Sequence, residues 1–170
     1  MFALNAGKLA ATAEPEQPLL LSSPQTTGLA GGEWCAYGFG KVAPEMPLDQ
    51  RIDDAGSLVF DSAPLTEAVT IVGSTVATLE LASDKPQGLI CVRLSDVAPD
   101  GAATRVSYGV LNLSHRDSHA MPAPLVPGKR NTIRVVLTEA AHVFASGQRI
   151  RISLSNAYWP MVWPSPERGR

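Results

Sequence analysis

Between Leu89 and Arg116 the chain alternates apolar and polar positions in two successive arms. Ile90, Val92 and Leu94 fall on one side of the first arm, and Cys91, Arg93 and Ser95 on the other. In the second arm Val106, Tyr108 and Val110 alternate with Arg105, Ser107 and Gly109. A period of two suits a pleated strand with one buried face. Ala98-Pro99-Asp100-Gly101 lies between the arms. Proline pre-sets φ, aspartate bonds back to the chain and glycine accepts positive φ, so this is a turn with a mechanism. Asp96 and Asp100 flank it and are expected to cap its backbone groups. The pattern predicts an antiparallel hairpin at the centre of a β-sandwich.

Other strands follow the same logic. Apolar pairs on either side of Asn5-Ala6-Gly7 suggest a small N-terminal hairpin. Ser57–Asp61, Val69–Val72 and Ser74–Ser83 read as strands. Asn131–Thr138 places Ile133, Val135 and Leu137 inward. Arg149–Ser155 places Ile150, Ile152 and Leu154 inward, with Arg149, Arg151 and Ser153 outward. Only Glu139–Gly147 is expected to hold a helical turn, and Pro44–Asp54 is expected to be loop. With 14 prolines and 14 glycines scattered along the chain, no segment sustains a helical period for long. Closely spaced strands with turn signals between them indicate an all-β sandwich or barrel. The expected organisation is a single domain over residues 1–170. It comprises a loop-rich lead-in at 1–56, the main strands at 57–155 and an aromatic, proline-rich tail at 156–170.

The 170 residues, 45% hydrophobic, can bury a core without staples. A net charge of -2 argues against nucleic acid as a partner. No apolar run is long enough for a membrane span, and the N-terminus lacks the apolar core of a signal peptide. A cytoplasmic location is expected. Cys35 and Cys91 form no CxxC pair, and Cys91 reads as a buried free thiol.

The search for chemistry yields little. No GxSxG elbow is present, nor a phosphate-cradling GxxxxGK[ST], so neither catalytic residues nor a cofactor are assigned. His115 and His119 are four apart, a spacing that on a helix can bind zinc as HExxH, but Arg-Asp-Ser lies between them and two prolines follow, so two solvated histidines on a strand-end loop are expected and no metal is assigned. Asp49, Asp53 and Asp54 surround Arg51. A calcium site is conceivable there, but a solvated turn or structural ion pair is the expected reading. Trp34, Tyr37, Tyr158, Trp159 and Trp163 lie in predicted loops, where aromatics cap a core, pack on another domain or bind sugar.

Several stretches together resemble a known family. They are Asp49-Gln50-Arg51 with Asp53-Asp54, Ser57–Ser62, Arg93–Gly101, Gly109–Arg116, Gly147–Ile152 and Tyr158-Trp159-Pro160. In this order they resemble the C-terminal domain of the cocaine esterase and X-Pro dipeptidyl-peptidase hydrolases, over about Leu4 to Glu167. The resemblance implies a jelly-roll β-sandwich, similar to galactose-binding domains, that follows an α/β-hydrolase catalytic domain carrying the triad. It implies an accessory, non-catalytic role: packing on that domain and shaping its substrate cleft. Trp34, Tyr37, His115, His119, Tyr158, Trp159 and Trp163 are the candidates for that interface or cleft wall. It also implies a further strand after the Trp-Pro segment. Its absence would leave a sheet edge open to fraying or homodimer formation. The alternative is a stand-alone module binding carbohydrate or another small polar ligand.

Overall fold

The structure is a computed structural model that describes residues 1–32, 46–167 and 169. Its strands are β1 (Ala3–Asn5), β2 (Lys8–Ala10), β3 (Leu58–Asp61), β4 (Val69–Gly73), β5 (Val76–Leu81), β6 (Leu89–Val97), β7 (Ala103–Asn112), β8 (Asn131–Val136), β9 (Ala140–Phe144) and β10 (Arg149–Ser155). One sheet has the order β1-β2-β3-β10-β6-β7. Facing it, β4 pairs with β9 and β5 with β8, both antiparallel. The arrangement is a β-sandwich.

The two short sheets are one bent ribbon. Gly73 pairs with Ala140 and Val76 with Val136, so Ser74 and Thr75 face Leu137, Thr138 and Glu139 across the junction. One strand carries an extra residue there, which bends the ribbon as a bulge does. Leu137 N still donates to Thr75 O at 2.9 Å across the bend. The bend leans on β7: Ser107 Oγ donates to Thr138 O at 2.5 Å and Thr138 N donates to Tyr108 O at 2.9 Å. Gly109 permits this approach, since a Cβ there would lie 2.5 Å from Val136 O.

The core lies between the ribbon and the large sheet. Ile133, Val135, Leu137 and Phe144 from one side meet Phe60, Ile90, Val92, Leu94, Ile150, Ile152 and Leu154 from the other. On the β7 side the bend closes the sandwich. On the opposite side a cleft of about 1270 Å³ opens between β5 and the β1–β3 strands.

The central hairpin forms as the alternation predicts, with Leu89 opposite Asn112 and Val97 opposite Ala103. Asp100 Oδ1 accepts from Ala102 N at 3.0 Å, and Gly101 has φ +87°. Four expectations are corrected. First, β6 is buried along its whole length, not on one face. Second, Leu94 pairs with Ser107 but Ser95 with Arg105, leaving Val106 as an extra residue. This bulge reverses the parity of β7, so Arg105 joins the face of Tyr108 rather than opposing it. Third, the outward residues of β10 are covered, with Ser153 fully buried. Fourth, Glu139–Gly147 contains strand β9, while the one α-helical turn among the described residues is α1 (Arg51–Asp54), within the expected loop.

Gly109→Ala is expected to destabilise the fold by about 1–3 kcal/mol through overpacking. It should lower the urea midpoint without changing the slope. An unchanged midpoint would show that the ribbon is not seated on β7.

Candidate functional site

The face of the large sheet turned away from the core carries Cys91, Arg93 and Ser95 of β6 and Arg151 and Ser153 of β10. Arg93 is fully buried. A lone buried guanidinium would be costly, and α1 supplies its partners. Arg93 donates to Asp54 Oδ1 at 3.1 Å, Ser57 Oγ at 2.8 Å and Gln50 Oε1 at 3.2 Å. Asp53 Oδ2 lies 3.8 Å from its guanidinium. Asp54 also accepts from Arg151 at 2.9 Å and from Ser153 Oγ at 2.7 Å. Arg151 grips Asp61 with two bonds of 2.6 Å, and that hydrogen bonding raises the guanidinium's already high pKa. The acidic cluster is thus split. Asp53 and Asp54 form a buried ion-pair network, while Asp49 pairs with Arg51 at the surface. The Arg51 side chain, by hydrogen bonding, holds the Asp49 carboxyl down at about 2.

The network extends outward. Asp53 accepts from Gly28 N at 2.8 Å and Ala30 N at 3.0 Å, which anchors the 3-10 turn Leu29–Gly31 over the sheet. Gln50 Nε2 donates to Ala30 O at 2.9 Å. Thr27 O in turn accepts from Trp159 N at 2.8 Å. Gly28 has φ +116°, and a Cβ on it would meet Trp159 O at 2.5 Å, so only glycine fits. Residues 24–31 thereby hold the tail beside the buried charges.

The tail presents the aromatic candidates. Tyr158 is corrected: it is fully buried, donates no face to solvent and packs 5.4 Å from the Tyr108 ring. Burial pushes its phenol up to about 12, although Arg105 donates to its oxygen at 2.5 Å. Arg105 also lies 4.6 Å over the Tyr108 ring and donates to Gly31 O at 2.6 Å. Trp159 is half-buried and Trp163 is 80% exposed, their rings edge to face with centroids 5.5 Å apart. Trp34, Tyr37 and Cys35 lie outside the described residues.

His115 ends a 3-10 turn after β7, and its ring sits 5.5 Å from that of His119. Among the described residues no group of three or more potential metal ligands forms. Asp96 does not cap the turn. It is buried, and its Oδ2 lies 2.8 Å from Nε2 of His142 on β9, linking the large sheet to the ribbon. Among the described residues no serine hydroxyl is hydrogen-bonded to His142. Cys91 is free and buried, and burial pushes its thiol up to about 12.

A family model for the X-Pro dipeptidyl-peptidase C-terminal non-catalytic domain matches residues 2–170. The chain belongs to that family. Cocaine esterase of Rhodococcus sp. (strain MB1 Bresler) is 28% identical over 116 residues, covering 67% of this chain and 20% of the esterase. An alpha-amino acid ester hydrolase of known structure superposes with a TM-score of 0.82 at 22% identity, over 97% of this chain and 30% of that one. An aminopeptidase from the marine sediment archaeon Thaumarchaeota archaeon gives a TM-score of 0.72 at 22% identity, over 98% and 31% respectively. These two structures share the fold. The chain spans about a fifth of the length of the curated relatives it matches. As a member of the X-Pro dipeptidyl-peptidase C-terminal family it is a non-catalytic domain of a larger type of hydrolase.

The sequence reading missed Arg93, Gln50, Arg105 and His142. A charge inside the apolar run Leu89–Val97 and two adjacent acids at 53 and 54 were the available signal for the first of these. Asp54→Ala strands Arg93 in the interior and is expected to cost about 3–5 kcal/mol in thermal or urea unfolding. Asp49→Ala, at the surface, should change little. Equal effects from the two would contradict the assignment.

Proposed function

We propose that this domain packs on an α/β-hydrolase catalytic domain and forms one wall of its substrate cleft, the parent enzyme cleaving an ester or amide bond. The observation that carries this reading is the tryptophan pair. Trp163 is largely exposed, yet its neighbour Trp159 is tied to the buried network through Thr27. A large aromatic on a rigid support is what an interface anchor requires, because little freedom is lost on docking. A wall fixed this way also positions a substrate, where a shift near 1 Å is costly. The names of the esterase and ester hydrolase relatives support the class of bond. The histidine pair His115 and His119 is a second candidate for the wall.

Sugar binding by a stand-alone module is the weaker reading. The tryptophan rings meet at 63°, which offers a sugar no flat two-ring platform. A second proposal is self-association, supported by β5, which among the described residues pairs with β8 alone. The free Cys91 supports a reducing, cytoplasmic location.

The purified 170-residue chain is expected to hydrolyse neither 4-nitrophenyl esters nor X-Pro 4-nitroanilides above background. Mixed with its cognate catalytic domain it should form a complex. Trp159→Ala with Trp163→Ala should weaken that complex about 30-fold or more, as loss of an aromatic hot spot does, measured by calorimetry. Hydrolysis abolished by one serine substitution in this chain, or a complex indifferent to both tryptophans, would refute the reading.

A further inference from the structure

We propose that residues 121–129 form a rigid polyproline ridge that docks in an aromatic-lined groove of the catalytic domain, joining the histidine pair and the tryptophan pair into one interface. This rests on the packing reading above and adds to it a segment and the chemistry of its complement. The segment reads Met-Pro-Ala-Pro-Leu-Val-Pro-Gly-Lys. Proline fixes φ near about -65° at 122, 124 and 127. The residue before each proline, Met121, Ala123 or Val126, is pushed into extended backbone. Within 121–127 only Leu125 is under neither constraint.

Such a chain follows a polyproline II path, which repeats roughly every three residues, and the structure carries that period. Leu125 N and Gly128 N, three apart, both donate inward, to Pro86 O and Ser83 O at 2.8 Å each, and the Leu125 side chain is buried. Met121, Pro124 and Pro127 then share one outer face and Ala123, Val126 and Lys129 the other, and all six are exposed. The ridge is also clamped from its side. Ala123 N donates to Ser114 O at 2.8 Å, and Arg116 Nη1 donates to Ala123 O at 2.8 Å. A strip already held in its bound shape loses little freedom on docking. Polyproline strips are recognised by grooves of aromatic rings that take successive Xaa-Pro pairs. Ala123-Pro124 and Val126-Pro127 supply two such pairs, and Lys129 after them calls for a carboxylate at the end of the groove.

The position of the ridge identifies what it docks against. Its start is bonded to Ser114, next to His115, so it begins beside the histidine pair. Its inner face rests on the turn at 83–86, and the same turn receives the tail. Lys85 pairs with Glu167 at 2.8 Å, and Lys85 and Pro86 share a small notch with Pro166 and Glu167. Trp163 lies three residues before Pro166. The ridge therefore runs between the two groups already proposed to face the catalytic domain, and a partner that touches both meets the ridge as well.

Calorimetric titration of the chain into its cognate catalytic domain tests this. Met121→Glu and Val126→Glu each place a carboxylate on one outer face of the ridge, at positions 79% and 60% exposed. Each should keep the circular dichroism and melting temperature and raise the dissociation constant of the complex about tenfold or more, since a charge entering an aromatic groove is desolvated without a partner. Val143→Glu, on the outer face of the ribbon at β9, should leave the affinity unchanged. A complex that ignores Met121→Glu and Val126→Glu but weakens on loss of the tryptophans overturns the ridge and leaves the packing reading standing. Equal weakening by Val143→Glu overturns the ridge as the contact. No complex with the wild-type chain overturns both.

Discussion

The Arg93 guanidinium, with no exposure to solvent, sets the terms for everything on its side of the sheet. A buried charge of this kind persists only when acids and further hydrogen bonds surround it. Asp53 and Asp54, adjacent in sequence, reach it because α1 turns both carboxylates towards the sheet. Asp54 shares its oxygens with Arg151 and Ser153, which fastens β10 to the same centre. Asp53 spends its oxygens on the amides of Gly28 and Ala30. From there one backbone bond leads to Trp159, and one ring contact to Trp163. The exposed tryptophan is therefore connected by short, directed contacts to a charge in the middle of the domain.

This arrangement gives the two faces of the large sheet different work. One face packs apolar side chains against the bent ribbon and makes the core. The other uses polar contacts to fix loops in place, and those loops carry the proposed wall. Dispersion and burial are non-directional, whereas hydrogen-bonded ion pairs have defined geometry. The proposed role, holding a wall in position, is one to which such a polar face is suited.

Much of the fold was legible in the residues. The two alternating arms, the Pro99-Asp100-Gly101 turn and the inward residues of β8 all follow from a period of two. The family was legible as well, through several ordered motifs. The failures share a cause. Arg93, Ser95, Arg151 and Ser153 alternate with apolar residues as a solvated face would, and local pattern cannot show that a loop dozens of residues away covers them. The Val106 bulge shifts parity in a way no single residue announces. Glu139-Ala140-Ala141 has helical propensity, but pairing with β4 overrides it. Tyr158 looked like its neighbours in an aromatic tail, and only the contact with Arg105 and Tyr108 separates it from Trp163. Asp96 had an available local turn, yet found His142 across the sandwich.

The central claim is that the buried acids hold the covering loops and, through them, the tail. Amide hydrogen exchange tests it directly, comparing the wild-type chain with Asp53→Ala. The account predicts that Gly28, Ala30 and Trp159 amides are protected in the wild type and lose that protection in the variant, while β6 and β10 amides stay slow. Fast exchange of these three amides in the wild type, or unchanged protection in the variant, would contradict it.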